Sequence, residues 1–122
     1  MILLDSNIVI YASKKEYSFL NDFLIHEDLA VSIITKIEVL GYHGISPFEK
    51  NILTELFNVF HILEINTDCV NTAIEIRLNH RLSLGDAIIA ASAINHKLTL
   101  VTRNIKDFEK VKHLKLFNPF KK

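Results

Sequence analysis

Short apolar runs alternate with longer amphipathic segments along the whole chain. The runs are typical of buried strands, and they lie at residues 2–4, 30–34, 61–65, 98–102 and 115–117. Between them, apolar residues recur every three or four positions, as in helices that bury one face. These segments predict helices at residues 7–12, 16–26, 36–42, 47–60, 68–80, 84–96 and 106–110. Alternating strands and helices predict an α/β fold with three α/β/α layers around a mainly parallel sheet.

Three helical segments carry more specific predictions. Ser46, the following proline and Glu49 form a capping box, which marks a clear helix start. Segment 84–96 is apolar nearly all round, so we expect it to be the most buried helix. Segment 68–80 has an apolar set that we expect to face inward, namely Val70, Ala73, Ile74 and Leu78.

Composition indicates one compact domain that spans residues 1–122. The chain is 49% hydrophobic and has only 3 Gly and 2 Pro, so no linker is expected. The single cysteine, Cys69, excludes an internal disulfide and favours a reducing, cytoplasmic location. No apolar run approaches the roughly 18 residues of a membrane span, and no basic leader precedes the first run. We therefore expect no membrane association.

The net charge is zero but unevenly distributed. Residues 1–102 hold 7 Lys or Arg against 12 Asp or Glu, whereas residues 103–122 hold 7 against 2. An acidic body with a basic end suits a metal site beside an edge that attracts phosphate. A solubilising, charged edge strand would give the same pattern.

Four acids each follow or open an apolar run. Asp5, Glu38 and Asp107 come directly after a predicted strand or within a turn of its end, and Asp86 opens the most buried helix. Carboxyl ends of parallel strands converge on one crevice, so these acids can meet. Carboxylates that meet repel each other unless a hard divalent cation neutralises them. Gly85 would permit the close backbone approach of a tight site. The pattern favours a Mg²⁺- or Mn²⁺-dependent phosphoester hydrolase.

Each acid also has a purely structural explanation. Segments 35–38 and 83–86 match the helix capping box, in which a hydroxyl and an acid satisfy free backbone N–H groups. Asp5 could cap the next helix, and Asp107 could interact favourably with a helix dipole. The same box recurs elsewhere in the chain, so one match is unspecific. The conjunction of three acids at strand ends with a fourth at the start of the most buried helix is what points to a site.

Other chemistries lack their residues. The six histidines are scattered along the chain, so no zinc-binding pair at helical spacing exists. There is no Gly-rich phosphate loop and no G-x-S-x-G nucleophile motif. A phosphatase of the haloacid dehalogenase type would need a second Asp two residues after Asp5, where Asn7 stands. A metal-bound water is the remaining candidate for the attacking group.

Four motifs resemble those of the PIN-domain ribonucleases, and most closely the VapC-like toxins of toxin–antitoxin pairs. They are LDSNIVI at residues 4–10, SIITKIEV at 32–39, LGDAIIAA at 84–91 and VTRNIKDF at 101–108. The segment FNP at 117–119 is similar to the family's terminal strand. The resemblance covers nearly the whole chain and implies a PIN-like fold.

The resemblance implies a role for each acid. Asp5, Glu38, Asp86 and Asp107 would bind one or two Mg²⁺ or Mn²⁺ ions. Family members also place an acid where Asn104 stands, so Asn104 is the alternative occupant of the fourth position. Polar groups at helix starts would orient the carboxylates, and the residues in question are Asn7 and Thr35.

The implied reaction is endonucleolytic hydrolysis of RNA by metal-activated water, which leaves 5′-phosphate and 3′-hydroxyl ends. Arg103, Lys36 and Lys106 would contact backbone phosphates. The implied partners are RNA, a cognate antitoxin and a second copy of the chain in a homodimer. Two alternatives stay open, namely an RNA-maturation nuclease without toxin behaviour and a catalytically silent PIN-like module that binds RNA or protein.

Overall fold

A computed structural model describes residues 1–120 and contains five strands and seven α-helices within them. The strands are β1 (Ile2–Leu4), β2 (Leu29–Ser32), β3 (His61–Leu63), β4 (Thr99–Val101) and β5 (Lys115–Phe117). The helices are α1 (Ser6–Ala12), α2 (Phe19–Leu24), α3 (Ile33–Leu40), α4 (Pro47–Val59), α5 (Thr67–Asn79), α6 (Leu84–His96) and α7 (Ile105–Phe108). A 3₁₀ turn at Lys15–Tyr17 precedes α2.

The strands form one sheet in the order β3-β2-β1-β4-β5, and every pairing is parallel. The first strand is therefore central, with Ile2 beside Leu29 on one side and Leu4 beside Val101 on the other. Helices cover both faces of the sheet. The predicted α/β/α architecture is confirmed, and within the described residues the sheet is entirely parallel rather than mainly so.

Alternate residues of the strands face two separate hydrophobic cores, as the two-residue period of a strand requires. Leu4 and Val31 belong to the core under α1 to α4. Leu3 and Leu100 belong to the core under α5 to α7. This double burial explains why the strands read as continuous apolar runs.

Helix α6 is the most buried helix, as its sequence predicts. Every residue from position 87 to position 93 is buried, and the Ser83 hydroxyl caps the helix start by accepting a hydrogen bond from the Asp86 N–H over 3.1 Å. Within residues 1–120, neither α6 nor any other helix has the length and apolar character needed to cross a bilayer.

Helix α3 begins earlier than predicted. Residues 33 and 34, which were assigned to a strand, form its first turn, and Ser32 is the capping residue. The Ser32 hydroxyl accepts a hydrogen bond from the Ile34 N–H over 3.2 Å. Thr35, predicted as the cap, therefore lies inside the helix, where its side chain is fully buried.

Helix α5 buries a different face from the one predicted. Cys69, Ala73 and Ile76 point into the core. Of the residues expected to face inward, only Ala73 does so. Val70, Ile74 and Leu78 instead form an exposed apolar stripe, with 43%, 53% and 75% of their surfaces accessible.

Candidate active site

The fold brings the four acids to the carboxyl edge of the sheet. Asp5 follows β1 directly, and Glu38 lies on α3, which follows β2. Asp86 lies in the first turn of α6, and Asp107 lies in α7, which follows β4. The negative charges of Asp5, Glu38 and Asp107 all raise the pKa of Asp86. The four acids thus share one electrostatic environment.

Asp5 is buried and held by two hydrogen bonds. Its Oδ1 accepts from the Ser6 N–H over 2.8 Å, and its Oδ2 accepts from the Thr102 hydroxyl over 2.7 Å. Burial raises the pKa of Asp5 above its ordinary value, and the charge of Glu38 adds to that increase. The hydrogen bonds from Thr102 and Ser6 act in the opposite direction because they stabilise the ionised carboxylate.

Glu38 is oriented by a hydroxyl on another helix. The Ser6 hydroxyl donates to Glu38 Oε1 over 2.8 Å and lies 3.1 Å from the Thr35 Oγ1. Because Thr35 is fully buried, it fixes Ser6, and Ser6 in turn fixes the exposed Glu38 carboxylate. The predicted orienting role of Thr35 would therefore act through Ser6.

Gly85 leaves room for Glu38. A Cβ atom at this position would lie 2.5 Å from Glu38 Oε2, which is closer than real contacts allow. The neighbouring Asp86 is partly buried, and its pKa is raised to about 6. Burial is the main cause, followed by the charges of Asp5 and Glu38.

Asn104 and Asp107, the two candidates for the fourth position, are hydrogen-bonded to each other. The Asn104 Nδ2 donates to Asp107 Oδ2 over 2.6 Å, and the Asn104 backbone N–H donates to the Thr102 Oγ1 over 3.0 Å. Because Thr102 also donates to Asp5, a chain of hydrogen bonds joins the exposed Asp107 to the buried Asp5.

Two of the residues that position the acids were not singled out from the sequence, namely Ser6 and Thr102. The sequence contains a weak indication of each role, since Ser6 directly follows Asp5 and Thr102 directly follows a buried strand. Asn7 was singled out instead, and its side chain is exposed. The three cations proposed to contact phosphate are all exposed, namely Lys36, Arg103 and Lys106.

The chemistry of the acids fits a hard divalent ion. Within residues 1–120, no three His, Cys, Asp or Glu side chains stand close enough together to enclose one ion. Burial is the main cause of the raised pKa values of Asp5 and Asp86, repulsion from neighbouring acids adds to both, and in the described part of the chain no Lys or Arg contributes to either change. Oxygen ligands suit Mg²⁺ or Mn²⁺ better than softer metals.

The PIN domain family model matches residues 2–114, so the chain belongs to the PIN domain family. PIN domains are generally nucleases, and PIN nucleases generally use divalent metal ions. None of the curated proteins matches this sequence.

Solved structures extend the similarity. A chain of a toxin–antitoxin complex from Klebsiella pneumoniae is 29% identical with a TM-score of 0.77, and the match covers 100% of both chains. A chain of FitAcB from Neisseria gonorrhoeae is 28% identical with a TM-score of 0.79, covering 98% of each chain. A chain of VapBC2 from Rickettsia felis, bound to promoter DNA, is 26% identical with a TM-score of 0.80, covering 97% of this chain and 98% of that one. These matches confirm the predicted similarity to VapC-like toxins.

Proposed function

We propose that this chain is a metal-dependent endoribonuclease and the toxin of a toxin–antitoxin pair. One observation carries the proposal: in a PIN domain, the carboxylates of Asp5, Glu38 and Asp107, from three separate segments, add to the effect of burial and raise the pKa of Asp86 on a fourth. A bound divalent cation would relieve the repulsion between these acids, and carboxylate oxygens are the ligands that such a cation prefers.

The residues divide into ligands and groups that hold them. Asp5, Glu38 and Asp86 are the proposed ligands of Mg²⁺ or Mn²⁺, and Asp107 completes the set with Asn104 as its hydrogen-bond partner. When bound, such an ion supplies a water of lowered pKa and neutralises charge on a phosphodiester.

The protein itself contributes rigidity. Thr102 and the Ser6 N–H hold the Asp5 carboxylate, while the Ser6 hydroxyl holds Glu38. Preorganised groups cost no reorganisation when charge develops at the reacting phosphate.

The substrate is RNA, and hydrolysis leaves 5′-phosphate and 3′-hydroxyl ends. Arg103 directly precedes Asn104, Lys106 directly precedes Asp107, and Lys36 lies two residues before Glu38. All three cations are exposed, so they are available to a backbone phosphate near the acids. Asn7, exposed in the first turn of α1, is a further candidate for orienting a ligand.

The proposed partners are a cognate antitoxin and a second copy of the chain, with both acting in the cytoplasm. The similar structures include toxin–antitoxin complexes from three bacteria, which supports the antitoxin. The homodimer is supported by exposed apolar side chains. They are Val70, Ile74 and Leu78 on α5, Phe19 on α2 and Ile25 directly after it.

The decisive experiment is incubation of total cellular RNA with purified protein and Mn²⁺, with and without EDTA. Asp5→Asn should abolish cleavage, whereas Asp22→Asn, which removes an exposed carboxylate from α2, should not. Discrete products that appear only with metal would support a selective nuclease. Growth arrest on expression would then separate a toxin from an RNA-maturation nuclease. If folded, inhibitor-free protein cuts no RNA, the silent binding module is the better account.

A further inference from the structure

The Arg103 guanidinium lies over the faces of two aromatic rings. Its Cζ is 4.2 Å from the centroid of Phe120 and 5.5 Å from the centroid of Tyr11. A cation within about 6 Å of a ring centroid is attracted by the ring's quadrupole. Although Arg103 is exposed, two rings therefore fix the direction of its side chain.

These rings belong to a larger aromatic cluster, which we call the aromatic shelf and define as Tyr11, Tyr17, Phe19 and Phe120. The centroids of Tyr11 and Phe120 are 5.3 Å apart at an interplanar angle of 70°, and those of Phe19 and Phe120 are 5.3 Å apart at 88°. Edge-to-face packing of this kind favours a defined ring geometry. The Phe120 N–H also donates to Asn118 Oδ1 over 2.9 Å, which anchors the ring beneath Arg103.

The shelf lies beside the acids rather than among them. Arg103 directly follows Thr102, which donates to Asp5, but its charge is not among the causes that shift the pKa of Asp5 or Asp86. Tyr11 stands five residues after Ser6 on α1, which corresponds to about 7.5 Å along a helix. The guanidinium therefore lies over Tyr11 in the last turn of α1 and over Phe120, and it does not shift the pKa of Asp5 or Asp86.

We propose that Arg103 binds the phosphate of an RNA nucleotide next to the scissile one, and that Phe120 and Tyr11 are its positioning residues. The inference rests on the proposed ribonuclease function. Contacts through the face of the guanidinium leave its in-plane N–H groups free for a bidentate phosphate contact. The aromatic shelf thereby sets the path of the strand across the acids.

The test is the affinity of a labelled, mixed-sequence single-stranded RNA for the Asp86→Asn chain, measured over a series of salt concentrations. Arg103→Ala in that background should weaken binding about tenfold, since hydrogen bonds between charged groups are typically worth that much. It should also reduce the slope of log affinity against log salt by about 0.7, the value for one phosphate contact to a single strand. Arg103→Lys should keep the slope and lose part of the affinity. The matched control is Arg81→Ala, an exposed Arg after α5, which should change neither quantity.

Phe120→Leu tests the positioning role through a double-mutant cycle. The single variant should weaken RNA binding, and Arg103→Ala with Phe120→Leu should bind no more weakly than Arg103→Ala alone. Losses that simply add would assign Phe120 to fold support and overturn its positioning role. If the chain binds RNA and Arg103→Ala changes neither the affinity nor the salt slope, this inference is overturned and the proposed function is not. Full affinity in Arg103→Lys would likewise overturn the bidentate contact. Absence of both RNA binding and RNA cleavage would overturn the proposed function with it.

Discussion

Glu38 extends into the space that a side chain on Gly85 would occupy. The built Cβ lies 2.5 Å from Glu38 Oε2 and 3.1 Å from its Cδ. The glycine is not required by the backbone, because no glycine in the described chain has a positive φ angle. Its function is therefore steric: it allows α6 and the carboxylate on α3 to approach each other.

Gly85→Ala should separate activity from stability. Alanine is favoured over glycine in a helix by up to about 1 kcal/mol, so the melting temperature should hold or rise. The displaced Glu38 should lower the rate of RNA cleavage about 100-fold, the order expected for a misplaced functional group. Cleavage kinetics and thermal denaturation check both outcomes.

Gly44→Ala is the matched control for this substitution. The three atoms nearest to its Cβ would all belong to the side chain of the exposed Tyr42, which can move aside. We expect cleavage to be unchanged there. Full activity in Gly85→Ala would show that the position of Glu38 does not matter.

Addition of Mn²⁺ should raise the melting temperature, because only the folded chain gathers the acids. At a concentration of 100 times Kd, binding adds about 2.7 kcal/mol, which corresponds to roughly 10 °C for a domain of this size. EDTA should reverse the shift, Asp5→Asn should remove it and Asp22→Asn should retain it. A melting temperature that ignores millimolar metal would count against the metal site.

Without metal, ionisation of Asp86 should lower the free energy of unfolding at neutral pH. The pKa of Asp86 rises from 3.8 to about 6, so between these values the folded state holds a proton that the unfolded chain has released. The contribution of Asp86 to the free energy of unfolding therefore falls as pH rises through this window, and the loss is complete above it. In EDTA, Asp86→Asn should gain more stability over the unsubstituted chain at about pH 7.5 than at about pH 4. An equal gain at both pH values would contradict this.

Thr102→Val should weaken metal binding by releasing Asp5. The substitution keeps the shape of a fully buried side chain but removes the 2.7 Å hydrogen bond to Asp5 Oδ2 and the acceptor of the Asn104 N–H. A hydrogen bond to a charged group is typically worth about 1.5–3 kcal/mol, so both stability and Mn²⁺ affinity should fall. Titration calorimetry measures the affinity, and Thr102→Ser, which keeps the hydroxyl, should preserve most of it.

Asp107→Asn should impair cleavage less than Asp86→Asn does. The charge of Asp107 has the weakest effect of the three acids that raise the pKa of Asp86, and its own carboxylate is exposed. Asn104→Asp would place two carboxylates at the 2.6 Å contact, so it should lower stability in EDTA and increase Mn²⁺ affinity. Loss of metal binding in the Asp107→Asn single variant would contradict the smaller effect expected for Asp107 and would make it a direct ligand equal to the other three acids.

The sequence was sufficient to predict the sheet and the positions of Asp5, Glu38 and Asp107 after its strands, because both follow from the order of strands and helices. It did not reveal Ser6 and Thr102, since a hydroxyl beside an acid is common and its hydrogen bond depends on three-dimensional contacts. Helix α5 shows the other limit. Its two candidate apolar faces share Ala73, and only packing against α6 decides that Cys69 and Ile76 are buried while Ile74 is exposed.

The central position of β1 also constrains when the site can form during synthesis. Asp5 and Thr102 are 97 positions apart in the chain, yet the backbone N–H of Asp5 donates to the carbonyl oxygen of Val101, and its side chain accepts from Thr102. A ribosome must therefore make every residue from position 5 to position 102 before Asp5 acquires these partners. A nascent polypeptide that is shorter than this cannot have any activity that depends on the assembled acids. A binding partner can therefore be made before that activity appears.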